Sequence, residues 1–217
     1  METIALTTAD HLTIIGDYYP AQGNKFAILL HMMPATKESW RPFAGKLVNA
    51  GYACLAIDER GHGASTQGGE LRYREFSPEQ QQAKILDVNA ACDYLKTQGA
   101  IEAEIVCIGA SIGANLSLQW LKEHPQSKAA IALSPGLDYH GVLTEPAIAG
   151  LAPGQLAILV ASEEDTMSFK SNQRLHELNP AQTKVFAFSG LGHGTTITDN
   201  KPAFIDELIQ VLETQLK

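Results

Sequence analysis

Apolar residues run through this chain in short unbroken blocks rather than in alternation. Phe26–Leu30, Tyr52–Ile57, Glu104–Ile108, Lys128–Leu133, Leu156–Ala161 and Lys184–Phe188 each read as such a block. A strand without polar alternation is buried on both faces, as in a parallel sheet. Between the blocks the period becomes helical. Trp40–Asn49 reads as a helix closed by Gly51. Ser77-Pro78-Glu79-Gln80 opens a long helix, with Ser77 as N-cap, Pro78 in its first turn and Gln80 completing a capping box. Ile85, Val88, Cys92 and Leu95 form its buried stripe. Ala114, Leu118 and Leu121 repeat that spacing after Ser111, and Phe204, Leu208 and Val211 repeat it near the end. A short helical stretch is expected over His140–Ala149 and a longer helix over Ser168–Leu178. Thr3–Thr7 and Leu12–Tyr18 do alternate, and Thr8-Ala9-Asp10-His11 between them predicts a hairpin turn. The whole pattern predicts an α/β fold: a mostly parallel eight-stranded sheet with helices on both faces. No linker, repeat or low-complexity tract interrupts it, so residues 1–217 read as one domain.

Composition narrows the partners. A formal net charge of −8 disfavours nucleic acid and anionic membrane surfaces. No run of 18 apolar residues is present, and Met1-Glu2-Thr3-Ile4 carries no basic or apolar export signal. Cys54, Cys92 and Cys107 fall at core positions without Cys-x-x-Cys spacing. They read as free thiols in a reducing cytoplasm rather than as metal ligands or a redox pair. The expected partner is a small molecule.

The chemistry concentrates at Gly109-Ala110-Ser111-Ile112-Gly113, between a predicted strand and a predicted helix. A serine between two glycines at such a turn is a nucleophile elbow. In an open parallel sheet ligands bind beyond the carboxyl ends of the strands, so the partners of Ser111 should also follow strands. Of seven histidines, His11 lies in the hairpin turn, His124 and His176 lie on helices, and His31, His62 and His140 fall early in the chain. His193 follows the last strand among glycines and fits the Ser…Asp/Glu…His order of this motif as general base. Asp165, after Leu156–Ala161, is the favoured orienting carboxylate. Asp138, Glu163 and Glu164 are the alternatives, the two glutamates reading otherwise as solvated charges. The Ile112 N–H is one expected oxyanion donor. The second should come from His31-Met32-Met33-Pro34; Pro34 has no N–H, so Met33 is favoured over Met32.

These residues, together with Asp58-Glu59-Arg60-Gly61-His62-Gly63-Ala64-Ser65, resemble the α/β-hydrolase fold superfamily along nearly the whole chain. The chain looks most like small serine esterases of the dienelactone-hydrolase-like and lysophospholipase-like groups. That resemblance implies a Ser111–Asp165–His193 triad, no metal or organic cofactor, and a scaffold role for Asp58, Arg60 and His62. Two residues depart from the pattern. Met32 stands where relatives usually carry glycine, and the nucleophile is serine where dienelactone hydrolases proper use cysteine, so lactone specificity does not transfer. Gly136–Gln155 is too short for the helical lid that many relatives insert, so no cap domain is expected. An open site for small or short-acyl esters follows as an expectation, with Met32, Tyr139, His140 and Leu143 as pocket residues. The expected activity is carboxylester hydrolysis through an acyl-enzyme. Thioester, lactone or amide hydrolysis would use the same triad, and a non-catalytic ligand-binding module is the alternative of another class.

Overall fold

A computed structural model describes residues 1–216. The chain opens with β1 (Glu2–Thr7) and β2 (Thr13–Tyr19), then β3 (Lys25–Leu30), α1 (Arg41–Asn49) and β4 (Tyr52–Ile57). Next come α2 (Pro78–Gln82), α3 (Ile85–Thr97), β5 (Ile105–Ala110), α4 (Ile112–Glu123) and β6 (Ala129–Leu133). A small hairpin of β7 (Asp138–Tyr139) and β8 (Val142–Leu143) leads to α5 (Glu145–Ala149). The chain closes with β9 (Leu156–Ser162), α6 (Thr166–Leu178), β10 (Thr183–Phe188), α7 (Thr196–Asn200) and α8 (Phe204–Gln215). The main sheet has eight strands in the order β1-β2-β4-β3-β5-β6-β9-β10. β2 pairs antiparallel with both β1 and β4; the other pairings are parallel.

The apolar blocks are sorted by the strand period of two. Ala27 and Leu29 of β3 join one core with Trp40, Phe43 and Leu47 of the α1 side and Phe204, Leu208 and Leu212 of α8. Phe26, Ile28 and Leu30, from the same strand, join the opposite core with Val88, Cys92 and Leu95 of α3 and Leu116 and Trp120 of α4. Both faces of β3 are therefore consumed, which is why its sequence shows no alternation. The three cysteines are buried and unpaired.

Two expected helices differ. Ser77 caps as predicted, with both halves of its capping box formed. The helix then breaks between Gln82 and Ile85, where the fully buried Lys84 side chain meets Glu59 at 3.0 Å. A helix over His140–Ala149 is replaced by the β7–β8 hairpin and the short α5. His140 takes φ 56° and Asp138 Oδ1 accepts the Gly141 N–H at 2.6 Å, closing a tight turn where a helix would start.

β3 and β5 lie side by side although β4 falls between them in the chain. This is a topological switch point, where the loops leaving two neighbouring strands diverge and open a crevice. The loop from His31 and the elbow at Ser111 leave the sheet at that crevice.

Candidate active site

The elbow is shaped by close approach. A Cβ on Gly109 would sit 1.9 Å from the Gly113 carbonyl oxygen, and one on Gly113 would sit 2.5 Å from the Leu30 carbonyl oxygen. Only glycine fits either position, so α4 starts directly against β3 and β5. Ser111, between them, takes φ 55° and ψ −120°. That is a strained region for a non-glycine residue, held here by the surrounding packing. The Ser111 N–H donates to the Leu133 carbonyl at 2.8 Å, which ties the strained residue to the neighbouring strand end. Ser111 itself is half-buried.

His193 Nδ1 meets Asp165 Oδ2 at 2.6 Å, with the imidazole side chain 38 % exposed and the carboxylate 13 % exposed. Asp165 precedes α6 and His193 follows β10, so the pair spans two adjacent strand ends. Asp138 is instead spent on its hairpin turn. Glu163 is exposed, and Glu164 has a separate engagement. The backbone beyond His193 is brought in beside the elbow: Gly194 donates its N–H to Ser134 Oγ at 2.9 Å and faces Ala110 and the Met32 thioether.

Among the described residues, the N–H groups of Ile112 and Met33 have no internal acceptor. Ile112 begins α4, where the helix dipole adds positive potential. The direction of the Met33 N–H comes from His31. That buried imidazole accepts the Glu59 N–H on Nε2 at 3.1 Å and reaches the Met32 carbonyl oxygen through Nδ1 at 3.1 Å. Burial pushes its pKa down, so the ring is neutral with its proton on Nδ1. The Met32–Met33 peptide is trans, so holding its carbonyl on His31 turns the Met33 N–H to the opposite side. The Met32 side chain packs against the α1/α8 core and Met33 against the opposite one.

Tyr139 carries its hydroxyl 3.1 Å from Ser168 Oγ, beside the Ser111 hydroxyl, with its ring against Gly136. Burial raises its pKa, so it stands there as a protonated donor. Leu143 is different: it is 44 % exposed on β8 and does not line the cleft at Met33, because the hairpin presents its alternate residue, Val142, to the interior.

The sequence offered Glu164 as an alternative orienting carboxylate or a solvated charge, and the structure gives it a third place, on the loop before His193. Its Oε1 accepts the Gly192 N–H at 2.6 Å and its Oε2 accepts the Gly190 N–H at 2.8 Å and the Ser162 hydroxyl at 2.7 Å. The Gly192 and Gly190 N–H groups lower its pKa to about 2. The clamp is fully charged above the ordinary carboxylate range and is lost only as pH falls toward that value. Glu164→Gln should loosen the loop that carries His193 and lower kcat/KM about tenfold with the fold retained. Steady-state kinetics beside a thermal melt check this; unchanged kcat/KM would leave Glu164 as a surface charge. Its signal in the sequence was only its place one residue before Asp165.

The Asp58–Ser65 turn is structural in this chain. Buried Asp58 accepts the N–H groups of Lys37 and Ala64, both at 2.9 Å, and meets Lys37 Nζ at 3.1 Å. Arg60 bridges Asp10 and buried Asp87, and His62 stacks on Tyr73. Among the described residues, no group of three or more His, Cys, Asp or Glu side chains is placed to hold a metal ion, and no helix is long and apolar enough to cross a membrane.

Sheet order, elbow and strand-end residues define an α/β-hydrolase fold with serine at the elbow. The family model described as "Serine aminopeptidase, S33" matches residues 24–174, more than half of the chain, and the chain belongs to that family of hydrolases. Epoxide hydrolase B of Mycobacterium tuberculosis is 31% identical over 117 residues, covering 54% of this chain but only 30% of that protein. Among solved structures, an esterase of Pyrococcus furiosus superposes with a TM-score of 0.79 at 19% identity, covering 100% of this chain and 91% of its own. A dienelactone hydrolase of Anabaena variabilis gives 0.77 at 17% identity, covering 99% and 95%. At these identities the superpositions speak for the fold.

Proposed function

We propose that the protein is a carboxylesterase that cleaves small or short-acyl esters through an acyl-enzyme on Ser111. One observation carries this reading: a strained elbow serine shares a sheet edge with a carboxylate-bound imidazole and two N–H groups that have no internal acceptor. Ser111 Oγ attacks the ester carbonyl while His193 Nε2 takes its proton. Asp165 holds the proton on Nδ1 and stabilises the imidazolium. The Ile112 and Met33 N–H groups receive the negative charge developing on the carbonyl oxygen, and His31 fixes the direction of the second. His193 then returns the proton to the leaving alcohol. Water, activated by the same imidazole, attacks the acyl-enzyme and frees Ser111. No step calls for a metal or an organic cofactor. The esterase and dienelactone hydrolase names among the structural neighbours agree with ester cleavage. The short hairpin and α5 after β6 support an open site that favours short acyl groups. Buried free thiols support a reducing, cytoplasmic setting.

A fluorophosphonate probe and a 4-nitrophenyl ester series test this together. The probe should label Ser111 in the folded protein, and acetate and butyrate esters should turn over faster than octanoate and longer ones. No adduct at Ser111 would favour a non-catalytic binding module. A long-chain preference would retain the esterase and remove the short-acyl assignment.

A further inference from the structure

A cleft of about 400 Å³ opens between the loop after β3 and the segment after β4. Met33 and Pro34 line one part of it, Tyr73 and Phe76 another, and the exposed residues Arg74 and His140 also border it. It adjoins the elbow region through Met33, and through His140, whose neighbour Tyr139 reaches Ser111.

The charge of this cleft is unlike that of the molecule. The chain carries 24 acidic residues against 16 Lys and Arg, yet among the described residues no carboxylate lines the cleft. Glu75, next to Arg74, faces Arg72 instead, at 3.6 Å. Among the described residues Arg74 therefore has no carboxylate partner. It is nevertheless held: its Nε donates to the Tyr73 hydroxyl at 3.0 Å and its guanidinium lies over the Tyr73 ring at 5.6 Å. Tyr73 stacks on His62, which is 2 % exposed, at 3.8 Å between centroids and 14° between planes. The Tyr73 carbonyl also accepts the amide of Gln81 at 3.1 Å. A buried imidazole thus supports a tyrosine that supports an arginine, and the guanidinium N–H groups beyond Nε remain available. A guanidinium prepared in this way suits a carboxylate, which accepts two parallel N–H bonds.

The sheet order says which arm of the ester reaches it. Segments after β4 and β3 form the cleft, Ser111 follows β5, and His193 follows β10 on the other side. The leaving alcohol must lie near His193 to receive its proton, so the acyl arm points the other way, toward Met33 and Arg74.

We propose that this cleft is an acyl subsite for a carboxylate-terminated chain, so that the substrates are monoesters of dicarboxylic acids: apolar next to the ester, anionic at the far end. This rests on the esterase reading of Ser111. Among the described residues lining the cleft Arg74 is the one Lys or Arg side chain, which matches the single charge of a carboxylate better than a phosphate dianion.

The probe pair is the 4-nitrophenyl ester of glutaric acid with its far carboxyl free, and the same compound with that carboxyl methylated. The unmodified protein should prefer the free acid by about tenfold in kcat/KM, with the difference mainly in KM and shrinking as salt is added. In Arg74→Gln the ratio of the two values should fall to about one, Arg74→Lys should restore part of it, and Arg74→Glu should reverse it. An unmodified protein that favours the methylated compound, or a ratio unmoved in Arg74→Gln, overturns the proposal. Calorimetric titration of Ser111→Ala with monomethyl glutarate, with and without Arg74→Gln, reads binding apart from turnover. Binding lost with Arg74 supports the subsite even if neither ester is cleaved. No turnover of either ester and no fluorophosphonate adduct mark failure of the esterase reading. Turnover without charge discrimination, or binding indifferent to Arg74, marks failure of the subsite alone.

Discussion

Ser111→Ala is expected to lower ester hydrolysis by roughly 10⁴- to 10⁶-fold while the fold is retained. The side chain being removed is small and half-buried, and the contacts that build the elbow are backbone contacts of Gly109, Gly113 and Leu30. Alanine meets the same strained φ as serine, so the elbow should persist. The loss should fall on kcat rather than KM, because the hydroxyl forms its bond only during the reaction. Residual turnover above the uncatalysed rate should remain, since Ile112 and Met33 still present their N–H groups. The decisive comparison is kcat on a short-chain 4-nitrophenyl ester with matched circular dichroism spectra. Activity within tenfold of the unmodified protein would take Ser111 out of the mechanism.

The second large effect is on stability. Asp58→Ala should cost about 3 kcal/mol, the low end of what removing one partner of a buried ion pair costs. The carboxylate is fully buried, and its loss strands the N–H groups of Lys37 and Ala64 together with the Lys37 ammonium, whose side chain is 8 % exposed. Glu38, 2.7 Å from the same ammonium, keeps the loss from being larger. Asp58→Asn should cost less, because one amide oxygen still accepts an N–H. Urea unfolding measures both variants: the midpoint should drop with little change in slope. A loss below about 1 kcal/mol would mean that water satisfies the orphaned groups. Because Lys37 follows the His31–Pro34 loop, reduced activity in Asp58→Ala is an expected companion of reduced stability.

Much of the site was legible in the sequence because its parts are local. A serine between two glycines after a β-branched run is the signature of a backbone collision, and Gly113 against Leu30 is that collision. Pro34 could be struck from the oxyanion donors without a structure, since it lacks the N–H. Other parts were not local. The choice among Asp138, Glu163, Glu164 and Asp165 turns on which carboxylate faces a loop twenty-eight residues and more downstream, and spacing along the chain carries no such direction. Glu164 looked like a solvated charge because its partners are backbone N–H groups, which side-chain identity does not reveal. The break at Lys84, in a helix its neighbours favour, falls where its side chain meets Glu59 and His62, residues of another loop that the helical pattern does not reveal. His31 was set aside as too early to be a base; its work is on a peptide group, again invisible in the residue types.

The order of apolar and polar residues by itself determined the strands of the main sheet and most of its helices, their burial, the elbow at Ser111 and the strand ends where its partners had to lie. Those follow from short-range rules: the pleat, the helical repeat, the size of glycine and the missing N–H of proline. Only the tertiary structure decided that Asp165 meets His193, that Glu164 clamps the loop before His193, that His31 turns the Met33 N–H away from its own ring, and that Arg74 rests on Tyr73, which stacks on His62, at the cleft that Met33 also lines. The carboxylate contacts join loops that only the pairing of β9 and β10 brings together, and His31 meets Glu59 only because β3 lies beside β4; spacing along the chain carries neither pairing.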